Sequence, residues 1–338
     1  MVNVLIATQH DDPDTAVVAN ELRSRGSRVS VFHGQDYPMK SEISTFIESA
    51  TDTRIMVSGA GADLDLESFD VVWWRRYHGF NVSGNFHPDD EKIIRLENSV
   101  LSRHFPHLVA PGARWINSPE GEMLGSSKMK QLRAAKDVGL KFPKTLATNS
   151  RAEASRFIDL LEGAGKRAIL KTFLPHYWLD EADTPAYAYT SAITSSQLVE
   201  DSMFRVCPVI LQERLDGVCE IRAVFMGQAC AAVEHNHASS GRNHLDARTS
   251  ALPDRNLKLH ALPAKLVDRC VKLMESLSLV FGSFDFLLMP DGEYVFLEIN
   301  PQGQWVWLDS ECKALNLVSA FCDFIEHGTT TTEAMLKR

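Results

Sequence analysis

Along the first third of the chain, apolar residues come in short blocks separated by amphipathic stretches: Val2 to Thr8, Arg28 to Phe32, Arg54 to Ser58 and Asp70 to Trp74. Short blocks rich in β-branched and aromatic side chains are strand-like, and the stretch after Asp14 has helical spacing. Such alternation predicts a small α/β unit on a mostly parallel sheet. His87-Pro88-Asp89-Asp90-Glu91 sets a proline and three acids at a helix start, which predicts a helix to about Phe105. Pro106 and Pro111 then punctuate a linker that ends this domain near Asn117.

Ser118-Pro119-Glu120 opens a second helical region. Met129, Leu132, Ala135 and Val138 recur at helical spacing before Gly139 stops that helix. Ser150-Arg151-Ala152-Glu153 is a capping box for a helix to about Glu162. Arg167 to Lys171 and Pro208 to Gln212 read as strands, with a capped helical turn at Thr194-Ser195-Ser196-Gln197 between them, so a small α+β domain is predicted. Further on, strands are predicted at Ile221 to Phe225 and Ala229 to Val233, then a loop rich in His, Asn and Arg, then a helix with Leu266, Cys270, Leu273 and Leu277 on one face. A hairpin follows, Phe284 to Met289 and Tyr294 to Ile299 about Pro290-Asp291-Gly292-Glu293. One last helix to about Ile325 precedes a Thr-rich tail. The predicted division is 1–117, 118–207 and 208–326, with 327–338 as a disordered tail.

Charge narrows the partners. Thirty-five Lys plus Arg against 44 Asp plus Glu give a net charge of -9 over 338 residues, a field that repels nucleic acid and anionic membranes, so neither is an expected partner. An anionic ligand must be met by a local basic cluster. No apolar run approaches the roughly 20 residues that cross a bilayer, and the start lacks the basic and apolar regions of an export signal. The six cysteines (Cys207, Cys219, Cys230, Cys270, Cys312, Cys322) show no C-x-x-C spacing and read as reduced thiols, which points to the cytoplasm.

The hairpin carries the sharpest chemical signal. Asp285 interrupts one apolar strand, and Glu298 and Asn300 interrupt the other. Residues 298 and 300 are two apart and share a face, and the turn can bring Asp285 beside them. Three oxygen donors suit a hard cation such as Mg²⁺ better than zinc; an exposed sheet face is the plainer alternative. Lys171 ends an apolar strand and Lys128 opens a helix, each either a point charge for phosphate or a solvated cation. Gln212-Glu213-Arg214-Leu215 follows the apolar run Val206 to Leu211, and Glu220 lies seven residues beyond Glu213. Backbone at such a strand end can bind an adenine edge, and a carboxylate can take both ribose hydroxyls. His235 and His237 alternate on a strand but have no third soft ligand, so zinc is set aside. Trp73, Trp74, Trp305 and Trp307 are expected in core or interface, and Glu120 and Glu122 as helix-start acids.

In order and approximate spacing, Lys128, Lys171, Gln212-Glu213-Arg214-Leu215 with Glu220, and the Asp285, Glu298, Asn300 set resemble those of the ATP-grasp ligases over nearly the whole chain. The resemblance implies an N-terminal α/β domain and two subdomains that clamp ATP. It also implies Lys128 and Lys171 on the phosphates, the 212–215 stretch at the adenine with Glu213 and Leu215 in contact, Glu220 at the ribose, and Asp285, Glu298 and Asn300 on Mg²⁺. Val72-Trp73-Trp74-Arg75-Arg76-Tyr77, Arg114-Trp115-Ile116-Asn117, Leu146-Ala147-Thr148-Asn149, His244-Leu245-Asp246-Ala247-Arg248 and above all Glu298-Ile299-Asn300-Pro301-Gln302-Gly303-Gln304-Trp305-Val306-Trp307 are similar to the graspetide, or microviridin-type, peptide ligases. That likeness implies a homodimer that binds the leader of a precursor peptide and joins its Asp or Glu side chains to Ser/Thr hydroxyls or Lys amines. The chain departs from the family in two places: no glycine lies between Lys171 and Thr190, where a Gly-rich phosphate lid is common, and Ala247 stands where the family has Trp.

A carboxylate must be activated before it condenses with a hydroxyl or amine, and γ-phosphoryl transfer from ATP would give an acyl phosphate. Arg222 and Arg248 are candidates to grip that group and the acidic side chain, because a guanidinium binds carboxylate or phosphate bidentately; Arg222 is alternatively the ion-pair partner of Glu220. Asp246 is a candidate to orient Arg248 or to act as base. Arg75 and Arg76 are candidates for acidic leader residues or for internal pairs. Two other functions fit parts of the pattern. A ligase of amino acids or small molecules, similar to glutathione synthetase or glutamate-adding enzymes, would share every ATP residue, and a nucleotide-binding module without turnover is disfavoured by the intact Asp285, Glu298, Asn300 set.

Overall fold

The computed structural model describes residues 1–49, 52–59, 63–77, 79–80, 82–173, 177–179, 185–187, 190–235 and 257–337. β1 (Asn3–Thr8) is apolar and has Val4 to Ala7 buried, as a central parallel strand must be when both faces are covered. α1 (Pro13–Ser24) leads to β2 (Arg28–His33), and β3 (Ser41–Ser49), β4 (Asp52–Gly59) and β5 (Leu64–Asp65) follow before β6 (Val71–Trp74), α2 (Pro88–His104) and β7 (Arg114–Ile116). The sheet has the order β2-β1-β6-β7, all parallel. Two expectations change. Arg54 to Ser58 lies in a separate antiparallel sheet of β3, β4 and β5, because the β3–β4 connection is far shorter than the dozen or so residues a parallel crossover needs. The stretch expected as a linker ends in the edge strand β7.

α3 (Pro119–Gly125), α4 (Lys128–Asp137), β8 (Thr145–Thr148), α5 (Arg151–Gly163), β9 (Ala168–Lys171), β10 (Tyr177–Leu179), β11 (Pro185–Tyr187), β12 (Ser191–Ile193), α6 (Asp201–Val206) and β13 (Val209–Glu213) make up the middle of the chain. Ser150 caps α5 through the N–H of Glu153 as its sequence predicts. Ala154, Ile158 and Leu161 of that helix pack on Ala168 and Leu211 of the antiparallel sheet β12-β9-β13-β8. The division expected at 207/208 therefore falls one strand early, since β13 is an inner strand of this sheet. α4 belongs elsewhere too: Ala134 and Ala135 pack into the C-terminal core.

That core lies under β14 (Cys219–Met226), β15 (Ala229–His235), β16 (Leu257–His260), α7 (Ala264–Ser276), β17 (Phe281–Leu288) and β18 (Tyr294–Asn300). The sheet order is β16-β15-β14-β17-β18, antiparallel throughout. Leu266, Cys270 and Leu273 of α7 meet Phe225, Phe284 and Phe286 on one face. The last helix is two helices, α8 (Trp307–Glu311) and α9 (Leu317–His327), and both Asp309 oxygens accept the Leu317 and Val318 N–H groups at 2.8 Å to start the second. Phe321 and Ile325 of α9 share a core with Val4, Ile6 and Trp73, which ties the C-terminus to the first sheet. The tail expected to be disordered is strapped down. Met335 is fully buried, its carbonyl accepts from Asn316 N–H, and Lys337 N–H donates to Ala314, because three apolar residues, Ala334-Met335-Leu336, interrupt the polar run.

Candidate active site

The acidic cluster depends on a break in register. Leu288 pairs with Tyr294, Leu287 with Val295 and Phe286 with Phe296. An unbroken ladder would then set Asp285 against Leu297 and Phe284 against Glu298, driving a carboxylate into the apolar layer. A one-residue shift between Asp285 and Phe286 puts Glu298 opposite Asp285 and Ile299 opposite Phe284. Phe296 and Ile299 thus both stay buried in the α7 core, while both carboxylates share the opposite face. Bulges next to active sites commonly re-aim a side chain this way.

On the neighbouring strand, Arg222 is the rung partner of Asp285. Its Nη1 donates to both Asp285 oxygens at 2.9 and 2.7 Å, Nη2 donates to the Gln304 carbonyl at 3.1 Å, and Nε is buried with no partner. The guanidinium expected to grip an acyl phosphate, or to pair with Glu220, is spent on Asp285. Glu220 is two residues back along β14 on the same face, the rung partner of His235 and Leu287. Asn300 continues the acidic face at the end of β18, with its Oδ1 accepting from Gln302 N–H at 3.1 Å and Gly303 N–H at 2.8 Å. Asp246 and Arg248 lie outside the described residues.

Both lysines line one crevice with Glu298. A crevice between the central sheet and the hairpin is lined by Lys128, Lys171, Gln212, Leu297 and Glu298, with Met129, Leu132, Thr145 and Ile210 completing its walls. Lys128 is the first residue of α4, whose cap is Ser127; its Nζ donates to the Thr172 carbonyl at 2.9 Å and stands 4.0 Å from Glu298 Oε2. Lys171 reaches the crevice from the end of β9. Gln212 is buried and donates to Thr145 Oγ1 at 2.9 Å. The Glu213 carboxylate is bound by Lys166 at 2.6 Å and the Arg214 Nε by Asp216 at 3.2 Å, so at this strand end it is the backbone of 213–215 that can face a base.

Sequence reading missed what holds the loop after the acidic strand. Arg75 has no exposed surface. Its Nε donates to Asp12 Oδ2 and its Nη2 to Asp14 Oδ2, each at 2.6 Å, while Nη1 donates to the Gln302 and Gly303 carbonyls at 2.8 Å. Asn117, also buried, donates to the Pro301 and Phe281 carbonyls at 2.8 and 3.0 Å. Glu122 stands in the first turn of α3, as expected of a helix-start acid, and is also a third support: its Oε1 accepts from Asn117 Nδ2 at 3.4 Å, and burial pushes its pKa up to about 7. The available signal was the Asp12, Asp14 pair after the first apolar strand, matched by an arginine directly after the fully apolar Val71 to Trp74.

Burial pushes the Asp285 pKa up to about 6; Arg222 opposes the rise, and Glu298 and Glu220 add to it. Cation binding needs the carboxylate. We therefore expect the apparent Mg²⁺ affinity, read from Mg²⁺ titrations of activity between pH 5 and 8, to be level above about pH 6 and to fall up to about tenfold per unit below it, with the dependence absent in Asp285→Asn. The cation-free protein shows the opposite sense. A raised pKa favours the protonated fold, so the stability cost of Asp285 is present above about pH 6 and gone below its ordinary value of 3.8.

The three larger sheets and the crevice between the last two define the fold class: this is the ATP-grasp fold. Residues 3–111 match the family model of the MvdD pre-ATP grasp domain. Three solved structures are similar over their whole length. Macrocyclase MdnB from Microcystis aeruginosa MRC is 26% identical, with 97% of this chain and 100% of that chain covered and a TM-score of 0.79. Macrocyclase MdnC from the same organism, bound with precursor peptide MdnA, is 20% identical with coverage of 97% and 100% and a TM-score of 0.82. A Chryseobacterium gregarium RiPP-associated ATP-grasp ligase, in complex with ADP and a leader and core peptide, is 21% identical with coverage of 98% of both chains and a TM-score of 0.79. No curated protein matches the chain in sequence.

Proposed function

We propose that this protein is an ATP-dependent peptide ligase that closes macrocycles in a ribosomally made precursor, joining Asp or Glu side chains to Ser/Thr hydroxyls or Lys amines. The likeness to a macrocyclase across 97% of the chain at 26% identity carries the proposal, and the crevice chemistry agrees with it. Asp285 and Glu298 form an oxygen-only pair in register that suits Mg²⁺, which prefers few carboxylates and open positions; Asn300 is the third donor in this proposal. When bound, Mg²⁺ would supply positive charge opposite phosphate oxygens. Lys128 and Lys171 supply fixed ammonium groups on the same crevice and offset the repulsion between a triphosphate and an incoming carboxylate. The backbone at Glu213 to Leu215 takes the adenine edge and Glu220 the ribose. Arg222 sets the orientation of Asp285, and Arg248 and Asp246 are the proposed groups for the acyl phosphate and for the proton of the nucleophile.

A homodimer and a cytoplasmic location complete the proposal. α2 has no buried residue, and its Ile93, Leu96 and Val100 form one exposed apolar face that a second copy could cover. The six cysteines are all free, and no helix among the described residues is long and apolar enough to cross a membrane. The test is incubation of the protein with ATP, Mg²⁺ and a candidate acidic, Ser/Thr-containing precursor peptide. Loss of one water mass per bond, with one ADP and one phosphate formed for each, is expected. A mass gain equal to an added amino acid would assign a tailing ligase instead, and no ADP formation would remove ligase function.

A further inference from the structure

The first sheet has a topological switch point between its two central strands, β1 and β6. Strand order reverses there, since β1 connects onward to β2 on one side while β6 lies on the other. At such a switch point the loops beyond the strand ends part, and α/β folds bind ligands in the gap. The loop after β1 carries Asp12 and Asp14, and β6 runs into Arg75 and Arg76. Arg75 is fully committed to those two carboxylates and to the carbonyls of Gln302 and Gly303. Arg76 is different. It is half-buried, and its guanidinium has no hydrogen-bond or ion-pair partner among the described residues; burial and neighbouring Arg75 work against its charge, and Asp12 and Asp14, both held by Arg75, offset only part of that. Its backbone stands at φ 48°, left-handed and unfavourable for a residue with a Cβ, and its N–H donates to Gln302 Oε1 at 3.2 Å.

A strained, half-buried cation with no direct ion-pair partner among the described residues, placed at a switch point, has a ligand-binding geometry that the fold itself does not use. Its position fits the chemistry nearby. Gln302 and Gly303 donate to Asn300, and Gln304 accepts from Arg222, so the loop that Arg76 touches through Gln302 is the one tied to the acidic cluster. Resting on the function proposed above, we infer that Arg76 is a specificity residue whose guanidinium binds one side-chain carboxylate of the acidic peptide substrate and holds that stretch of peptide against the loop 301–305. A phosphate of the nucleotide is the poorer partner, because two lysines already serve it across the crevice. With a net charge of -9 the protein repels an acidic peptide at long range, so a local cation must supply the attraction.

The test uses the acidic precursor peptide that the ligase assay above identifies and a set of its variants with one Asp or Glu changed to Asn or Gln in each. Arg76→Asn is the informative substitution, since Asn tolerates the left-handed backbone and keeps the N–H; Arg76→Lys, checked by thermal melt, is the second. For Arg76→Asn the peptide KM should rise about tenfold or more, the loss typical of a hydrogen bond to a charged group, with kcat and the ATP KM within about twofold. Arg76→Lys should fall between. On one member of the peptide set, Arg76→Asn and the unmodified protein should become indistinguishable. An unchanged KM, or the same loss on every peptide of the set, would overturn the inference. Fluorescence anisotropy of the labelled peptide in the presence of ADP separates the two proposals: an unmodified protein that binds peptide without forming product removes the ligase function, and the Kd still reads Arg76. An unmodified protein that does neither removes both.

Discussion

Glu298→Gln is expected to lower ATP-dependent turnover by about 10³-fold or more while leaving stability within about 0.5 kcal/mol of the unmodified protein. The side chain is 42% exposed and the Lys128 Nζ is 4.0 Å away, so an amide of the same shape costs the fold little. What it removes is one of two carboxylates that the register shift sets side by side. With Gln at 298, Asp285 faces the cleft as the one remaining anion of the pair, and its charge is already matched by Arg222. A divalent cation is then left with little net negative charge to hold it, and Lys128 and Lys171 would face a triphosphate without the opposing acid that positions the metal. ADP formation measured against Mg²⁺ concentration is the check. A variant that stays within about tenfold of the unmodified rate at saturating Mg²⁺ would show that Glu298 is no ligand of the reaction. Asn300→Ala is a useful contrast, because Asn300 Oδ1 also secures the loop through Gln302 and Gly303, and its loss should appear in stability as well as in rate.

The hairpin shows how far a sequence carries such an argument. Alternation places residues 298 and 300 on one face, and the Pro290-Asp291-Gly292 turn with Gly292 at φ 82° fixes the reversal. Strict alternation also places Phe296 on that face with the acids. The extra residue that returns Phe296 to the core is invisible to periodicity, because a bulge shifts the pairing without any marker residue. Lys128 and Lys171 lie 43 positions apart in different subdomains, and their shared crevice needs β13 inserted between β9 and β8, a pairing that no local pattern specifies. The loop anchors were hidden for a similar reason. Arg75 and Gln302 are 227 residues apart, and a buried arginine looks in sequence like a surface one until its two aspartates are found. The strapped tail is misjudged from composition, where the run of four Thr at 329–332 draws attention from the three apolar residues that decide its fate. The helix starts at Ser118 and Ser150 were legible because a cap acts within one turn.

Arg75→Met is expected to destabilise the protein by about 3–5 kcal/mol, the range for breaking a buried ion pair from one side. The methionine fills much of the same space. The cost lies in what stays behind: Asp12 and Asp14 lose the cation that held them at 2.6 Å, and the Gln302 and Gly303 carbonyls lose their shared donor. The Asp12 carboxyl, now held below its ordinary value by Arg75 with help from Thr8 and Thr15 against the penalty of burial, would then be raised by that burial. A raised carboxyl pKa favours the protonated folded form, so the deficit of the variant should be full at neutral pH and shrink as pH falls toward 4. Adding Asp12→Asn and Asp14→Asn to Arg75→Met should recover part of the loss for the same reason, since an uncharged pair needs no cation. Urea unfolding of the three proteins at pH 7 and pH 5 measures both effects. If Arg75→Met alone costs less than about 1 kcal/mol, or if the deficit grows at acid pH, the buried guanidinium does not hold the first domain to the loop beyond the acidic strand, and the rigidity of that loop must come from Asn117 and Asn300 alone.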